Sequence, residues 1–278
     1  MKTLVTGSSS YIGAVLCPML YGKHIVIPYD LQDGDDILDE EKLAYRIRDS
    51  DAIIHLAAAS TPKFCEEHPE EAQRVNVDAV RLINKLRGDK PIFFPNTNIG
   101  YGAEIKQDIY DEESPMHPKS VYGKTKREGE RLILDAGNCV VFRLASLFGY
   151  SPSMRWNLLL NFMVKEAFEK GQLELYEPTV RRNFLHVKDI CRAFIHAIDN
   201  YEAMKNQVYN VGLTLHPTKF ELAHMIEKYI PLKIREIEGS DPDKRDYFIA
   251  TDKLSATGFK AEYTFEDGIM ELIECLRS

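Results

Sequence analysis

The sequence predicts an α/β fold: a doubly wound parallel sheet with a smaller C-terminal α/β lobe. Three observations carry that prediction. Short apolar runs alternate with helical patterns from Lys2 to Arg143, the order of parallel strands joined by crossover helices. The opening thirty residues read strand, glycine turn, helix, strand, acid. Past Gly149 the rhythm changes to helices separated by isolated short strands.

The opening stretch is the most specific. Lys2 to Thr6 is a short apolar run that reads as a buried strand. It breaks at Gly7-Ser8-Ser9-Ser10, and a helical pattern starts at Tyr11-Ile12-Gly13. A second apolar run, His24 to Tyr29, ends in Asp30, 23 residues after Gly7. This is the order of a Rossmann-type dinucleotide-binding unit. Gly7 permits the tight turn, Gly13 lets the helix press on the sheet, and the helix N-terminus offers N–H groups to a pyrophosphate. Asp30 is placed to accept hydrogen bonds from a ribose 2′-hydroxyl and would repel a 2′-phosphate, which favours NAD(H) over NADP(H). The spacing is Gly-x-x-Ser-x-x-Gly, with Ser10 where a glycine is expected. Pro18 falls inside the helix and should kink or shorten it. A glycine turn in an α/β protein that binds no nucleotide is the alternative reading of this stretch alone.

The remaining elements follow in order. A turn-rich acidic segment around Gly34 precedes a short helix through Leu43 and Ile47. Ala52 to Leu56 is the third strand, and the small residues Ala57-Ala58-Ala59 after it leave room for a ligand at its carboxyl end. Glu70 to Leu86 is predicted as one long helix. The fourth strand, Pro91 to Pro95, runs into Asn96-Thr97-Asn98-Ile99. A helix begins near Ser120, and Asn138 to Arg143 is the next strand. Further helices are predicted over Asn157 to Lys170, Lys188 to Asn200 and Lys219 to Tyr229, with strands at Leu173 to Tyr176, Gln207 to Val211 and Lys233 to Glu236. Residues 1–145 with roughly 184–211 are assigned to the nucleotide-binding domain, and 146–183 with 212–278 to a substrate lobe over the carboxyl edge of the sheet.

Composition narrows the function classes. Hydrophobic residues are 44% and charged residues 28%, ordinary for a soluble domain. No apolar run reaches the length of a membrane span, and no cleavable signal is read before the first strand. A net charge of −8 argues against nucleic acid or an anionic membrane as partner. Cys17, Cys65, Cys139, Cys191 and Cys275 are odd in number and lack metal-ligand spacing, so they read as reduced thiols in a cytoplasmic protein.

Chemistry enters at Tyr122 and Lys126, four apart on a predicted helix and therefore on one face. A phenol ionises near pH ~10, and a neighbouring ammonium lowers that value by favouring the phenolate. Such a pair makes a general base that takes a proton from an alcohol while hydride leaves its carbon. Thr97, at the end of the fourth strand, is placed to hydrogen-bond the same oxygen. In isolation Tyr-x-x-x-Lys is more often a surface pair; here it follows a nucleotide-binding unit.

With these residues in hand, the chain resembles an extended short-chain dehydrogenase/reductase of the nucleotide-sugar epimerase/dehydratase group over nearly its whole length. The stretches that carry the resemblance are Thr6 to Gly13, Asp36-Ile37, His55 to Ala58, Val75-Asn76-Val77, Tyr101-Gly102, Ser120 to Lys126 and Arg182 to Asp189, in that order. The resemblance implies NAD as cofactor and a nucleotide-diphosphate sugar as substrate. Gly7, Ser10, Tyr11, Ile12 and Gly13 would then hold the pyrophosphate, Asp30 and Leu31 the adenosine ribose, and Asp36 and Ile37 the adenine. Leu56, Ala57, Ala58 and Asn76 would line the cofactor, with Thr97, Tyr122 and Lys126 catalytic, Tyr122 and Lys126 also touching the cofactor and Thr97 the substrate. Arg182 and Arg245 would contact the substrate's diphosphate or nucleoside, and Ser146, Arg155 and Asn161 would stand along its path. A homodimer through Glu70 to Leu86 and Ser120 to Ala136 is implied by the resemblance only.

Three reactions share such a site. The family's dehydratases carry an Asp-Glu pair just after the catalytic threonine; here Asn98 and Ile99 stand there, and neither an amide nor an alkyl group does acid–base work. Dehydration is therefore disfavoured. The reading is an epimerase, with a 4-keto reductase or 4-dehydrogenase as alternative and a non-catalytic NAD-sensing protein as the alternative of another class. Ser146 stands where the family's epimerases often carry Asn, which weighs against the galactose/glucose centre.

Overall fold

Six parallel strands form the central sheet of the computed structural model, which describes residues 1–102, 109–239 and 247–278. They are β1 (Lys2–Thr6), β2 (Ile25–Tyr29), β3 (Ala52–His55), β4 (Ile92–Thr97), β5 (Cys139–Leu144) and β6 (Gln207–Val211). Across the sheet they run β6-β5-β4-β3-β1-β2. The order reverses between β1 and β3, and a doubly wound sheet takes its ligand in the crevice beyond the carboxyl ends at such a reversal. Register brings those two ends level: Leu4, Val5 and Thr6 pair with Ile53, Ile54 and His55, so Gly7 and Leu56 leave the sheet side by side.

The near-continuous apolar runs are explained by burial on both faces. Val5, Ile54, Phe93, Val140 and Phe142 enter one core, and their chain neighbours Leu4, Ile53, Ile92, Phe94 and Val141 enter the other. A third core belongs to the C-terminal lobe. There the helices Leu159–Lys170, Lys219–Glu227 and Phe265–Arg277 bury Leu160, Met163, Leu222, Ile226, Ile269 and Leu272 against Phe148 and Phe184. The lobe joins the sheet through a short parallel pair, Ser146–Phe148 with Phe184–His186. Its alternation divides the cores: Phe184 points into the lobe and Leu185 into the sheet.

Several elements differ from expectation. Glu70 to Leu86 is not one regular helix: Pro69–Gln73 and Ala79–Arg87 flank a wider π turn at Arg74–Asp78. Such turns insert a residue and recur at functional sites; this one carries Asn76. The fourth strand continues to Thr97 because Asn96 and Thr97 still pair with Arg143 and Leu144. The first helix is short, Gly13–Leu20, with Pro18 inside it. The pair Ile109–Tyr110 with Phe248–Ile249 had no sequence signal, each strand being two residues long.

The closing helix is fastened to the sheet unit by charge. Glu271 accepts from Lys188 Nζ at 2.5 Å and from the Tyr150 N–H at 3.2 Å, and its other contact is His186 Nε2 at 3.3 Å. Burial works against this carboxylate, but those bonds bring its pKa down to about 2. An unfolded glutamate titrates near ~4.3, so the contribution is fully present above that pH and is lost as pH falls toward 2. Glu271→Gln should therefore lower stability at neutral pH and flatten its fall below pH ~5 in an acid-unfolding series. Parallel acid-unfolding curves for the two proteins would exclude this role.

Candidate active site

The glycine turn is fixed by close contact. Gly7 has a left-handed φ of 70°, and its N–H donates to the Tyr29 carbonyl at 2.8 Å. A Cβ there would lie 2.7 Å from Ala57 N, so Gly7 and Ala57 touch across the strand-order reversal. A Cβ on Gly13 would lie 2.3 Å from the Gly7 carbonyl oxygen and 2.6 Å from that of Ser8. Those are backbone atoms. Gly13→Ala should cost about 1–3 kcal/mol, an overpacking penalty read by thermal denaturation; an unchanged melting point would show the loop is not tight.

Ser10 has a use that the glycine pattern hides. Its Oγ accepts from the Gly13 N–H at 3.2 Å and caps the helix. Among the described residues no acceptor meets the N–H groups of Tyr11 and Ile12, which stay available to an anion. Asp30 is buried at the end of β2; its oxygens accept from the N–H groups of Ser9 (2.8 Å) and Gln32 (3.0 Å). A carboxylate retains lone pairs beyond two such bonds, enough for ribose hydroxyls. Leu31 is exposed beside it, Ile37 is buried, and exposed Asp36 accepts the Tyr29 hydroxyl at its carbonyl (2.6 Å). An NAD-type dinucleotide fits this donor and acceptor set: two free N–H groups, a glycine-lined turn and a carboxylate at the strand end.

The catalytic candidates come from two elements. The helix Val121–Ala136, capped by Ser120 Oγ on the Gly123 N–H, carries Tyr122 and Lys126 one turn apart. Thr97 ends β4, and its hydroxyl accepts from the Ile99 N–H at 3.3 Å. Gly123 brings the two together: a Cβ on it would lie 3.4 Å from Ile99 Cγ2. Tyr122 is half-buried, whereas Lys126 is 5% exposed with Nζ 4.2 Å from the centre of the Phe94 ring. Burial pushes the Lys126 ammonium down to about 7, against the pull of Glu130 and Cys65. Beside it, His55 is held neutral, its pKa lowered to about 3 by burial and by Lys126. The Thr6 hydroxyl accepts from Ala57 N (3.3 Å) and sits 2.7 Å from His55 Nδ1, tying the ends of β1 and β3 together.

Other expected residues take different parts. The Asn76 amide is committed to the chain: Oδ1 accepts from Ala59 N, and Nδ2 donates to the Ala59 carbonyl and Thr125 Oγ1. From the π turn it therefore ties Ala59 to the helix Val121–Ala136. Tyr11 is buried and donates its hydroxyl to the Gly149 carbonyl at 2.6 Å, leaving its backbone for the turn. Asn161 is fully buried, bonding Gly149 N, the Tyr11 hydroxyl and the Arg155 carbonyl. Its side chain braces the lobe's entry instead of facing the cleft, because the helix turns that position inward.

Ser146 and Arg182 do meet. With Asn98, Arg181, Asn183 and Tyr247 they line one narrow cleft. Tyr247 was not singled out as a site residue; its hydroxyl donates to the Asn98 carbonyl at 2.6 Å, and Asn183 Nδ2 donates to its carbonyl at 2.7 Å. Arg155 reaches from the lobe to Ser60 Oγ at 3.2 Å, bridging to the loop after β3. Arg245 lies outside the described residues. A wider groove lined by Val211–Leu215 and residues 259–266 contains none of the expected site residues. Among the described residues no cluster could hold a metal, and no helix is long and apolar enough to cross a membrane.

Fold and site together define a doubly wound α/β protein with a dinucleotide-type turn and a tyrosine–lysine helix packed on the strand that ends in a threonine. Residues 1–250 match the family model described as RmlD substrate binding domain, and the chain belongs to that family. It is 23% identical to a putative UDP-glucose 4-epimerase of Methanocaldococcus jannaschii, over 99% of this chain and 98% of that protein. The UDP-glucose 4-epimerase of Thermotoga maritima, solved with UDP-glucose, superposes with a TM-score of 0.88 at 20% identity, covering 100% and 99% of the two chains. A dTDP-4-dehydrorhamnose reductase from Clostridium acetobutylicum superposes with a TM-score of 0.83 at 22% identity, covering both chains fully.

Proposed function

We propose that the protein is an NAD-dependent nucleotide-sugar epimerase, working by transient oxidation of a sugar hydroxyl and return of hydride to the other face. The observation that carries the reading is that the helix bearing Tyr122 and Lys126 packs through Gly123 on Ile99, in the turn that follows Thr97 at the carboxyl end of β4. NAD, when bound, supplies acceptance and return of hydride. Tyr122 takes the proton from the sugar hydroxyl and gives it back, while Thr97 holds the same oxygen by a hydrogen bond. Lys126 favours the Tyr122 phenolate and binds the nicotinamide ribose. Arg182, Arg245, Arg155 and Ser146 are assigned to the substrate, Arg182 and Arg245 to its diphosphate or nucleoside and the other two to its path. Asp30, Leu31, Asp36, Ile37, Leu56, Ala57 and Ala58 are assigned to the cofactor.

Epimerases lie among the relatives matched over the full chain, and Asn98 and Ile99 offer no acid–base pair for dehydration. A reductase is the second reading, favoured by the reductase neighbour and by Ser146 in place of Asn. A non-catalytic NAD-binding role would need neither Tyr122 nor Lys126, and both are present.

The test is incubation with NAD and a panel of UDP- and dTDP-sugars, following nicotinamide absorbance while products are identified. Conversion to an epimer with no net NADH supports the reading. Accumulating NADH, or consumption of a keto-sugar only with added NADH, makes the protein a dehydrogenase or reductase.

A further inference from the structure

We propose that Glu130 is a positioning residue: a single buried carboxylate registers the helix bearing Tyr122 and Lys126 against the strand that ends in Thr97. The inference rests on the catalytic assignment above and names a group that assignment does not use.

The geometry is a continuous chain of hydrogen-bonded side chains. Glu130 lies four residues after Lys126 on the same helix and is buried. Its Oε1 accepts from Arg143 Nη2 at 2.7 Å, and its Oε2 from Arg143 Nε at 3.2 Å and from Asn96 Nδ2. Asn96 then accepts the Thr97 N–H at its Oδ1, 2.8 Å away. One side chain thus separates the catalytic helix from the backbone of the catalytic threonine. Arg143 extends the frame sideways, donating through Nη1 to the Tyr101 hydroxyl (3.0 Å) and the Glu112 carbonyl (2.9 Å). The Tyr101 hydroxyl donates in turn to Asn210 Oδ1 on β6 at 2.6 Å.

Stability alone is a poor reason for this arrangement. Desolvating an ion pair costs enough that apolar residues would fill a helix–sheet seam equally well. Apolar packing, however, tolerates a sliding helix, whereas a carboxylate with three directed donors does not. A slip of about 1 Å between Tyr122 and Thr97 is enough to cost ~10²-fold in rate. A carboxylate is required because it only accepts: an amide would turn N–H groups toward Arg143 or Asn96.

The same carboxylate acts on Lys126. The groups around that ammonium are Glu130 on its own helix, Cys65 on Pro62–Glu67, neutral His55 on β3 and the Phe94 ring on β4, with Tyr122 one helical turn before it. Glu130 and Cys65 both favour its charged form, and burial opposes it.

Nuclear magnetic resonance of ¹³C,¹⁵N-lysine protein tests this without turnover, the Lys126 signal being the one lost in Lys126→Arg. Glu130→Gln should move the Lys126 titration midpoint down by about one unit. With the active panel sugar, kcat should fall ~10–100-fold at nearly unchanged KM. Because Glu130→Gln strands a buried guanidinium, Glu130→Gln/Arg143→Gln is made alongside it; that protein should fold and show the same fall in kcat, with a smaller shift of the lysine midpoint because the opposing charge of Arg143 leaves with the carboxylate. A folded variant of either kind with both the wild-type midpoint and the wild-type kcat overturns the proposal. Turnover retained by Tyr122→Phe would sink the catalytic reading instead, and the lysine titration would still judge Glu130.

Discussion

Replacing Tyr122 by Phe is expected to abolish turnover while leaving NAD affinity within about twofold. Removing a positioned general base costs ~10²–10⁴ in rate. The change deletes one oxygen and keeps the ring, so the first turn of the helix, which packs through Gly123 on Ile99 and is capped by Ser120, should stand. The cofactor contacts assigned to the glycine turn and Asp30 lie on other elements, which is why binding is spared. Steady-state kinetics beside NAD titration by tryptophan or nicotinamide fluorescence checks both halves. Activity within tenfold of wild type would end the catalytic assignment. Loss of NAD binding together with activity would point to a local collapse, which a melting curve would reveal.

Lys126→Met is expected to do two opposite things: destroy activity and stabilise the protein. The ammonium is buried over Phe94, and burial brings its pKa down to about 7, whereas an unfolded lysine titrates near ~10.4. Between those values the unfolded chain binds the extra proton, so the stability of the ligand-free wild type should rise with pH from about 7 toward ~10. Below about 7 both states are protonated and the full cost of the buried charge is present. Methionine fills similar space without charge, so the variant should be more stable at neutral and acid pH by on the order of a few kcal/mol, the two curves converging near pH ~10. Urea unfolding of both proteins across pH 6–10 measures it. Curves that run parallel would show that Lys126 is solvated in the free protein. The gain in stability on losing a functional group is what a strained active site implies.

These expectations depend on features of unequal visibility in the sequence. The alternation of apolar runs and helices, the glycine turn, Asp30 at a strand end and Tyr122–Lys126 at helical spacing are all local. Strands buried on both faces must be apolar throughout, a turn at φ 70° must be glycine, and two residues four apart must share a helix face. Chemistry at such positions is legible because near neighbours in the chain dictate it.

What the sequence could not supply was partnership between distant segments. By resemblance Asn76 would line the cofactor, whereas in the fold its amide is committed to Ala59 and Thr125. Asn161 looks like a candidate ligand contact until the lobe helix buries it against Tyr11. The strand pair Ser146–Phe148 with Phe184–His186 is too short for periodicity to mark, yet it splits Phe184 and Leu185 between two cores. Nothing local in the sequence marks Glu130 and Arg143 as partners, and only the packing of helix on sheet makes them one buried pair reaching Thr97 through Asn96. Local spacing decided which groups could do the chemistry; the tertiary structure decided what holds them, since a buried polar group has no stable place until its partner arrives from elsewhere in the chain.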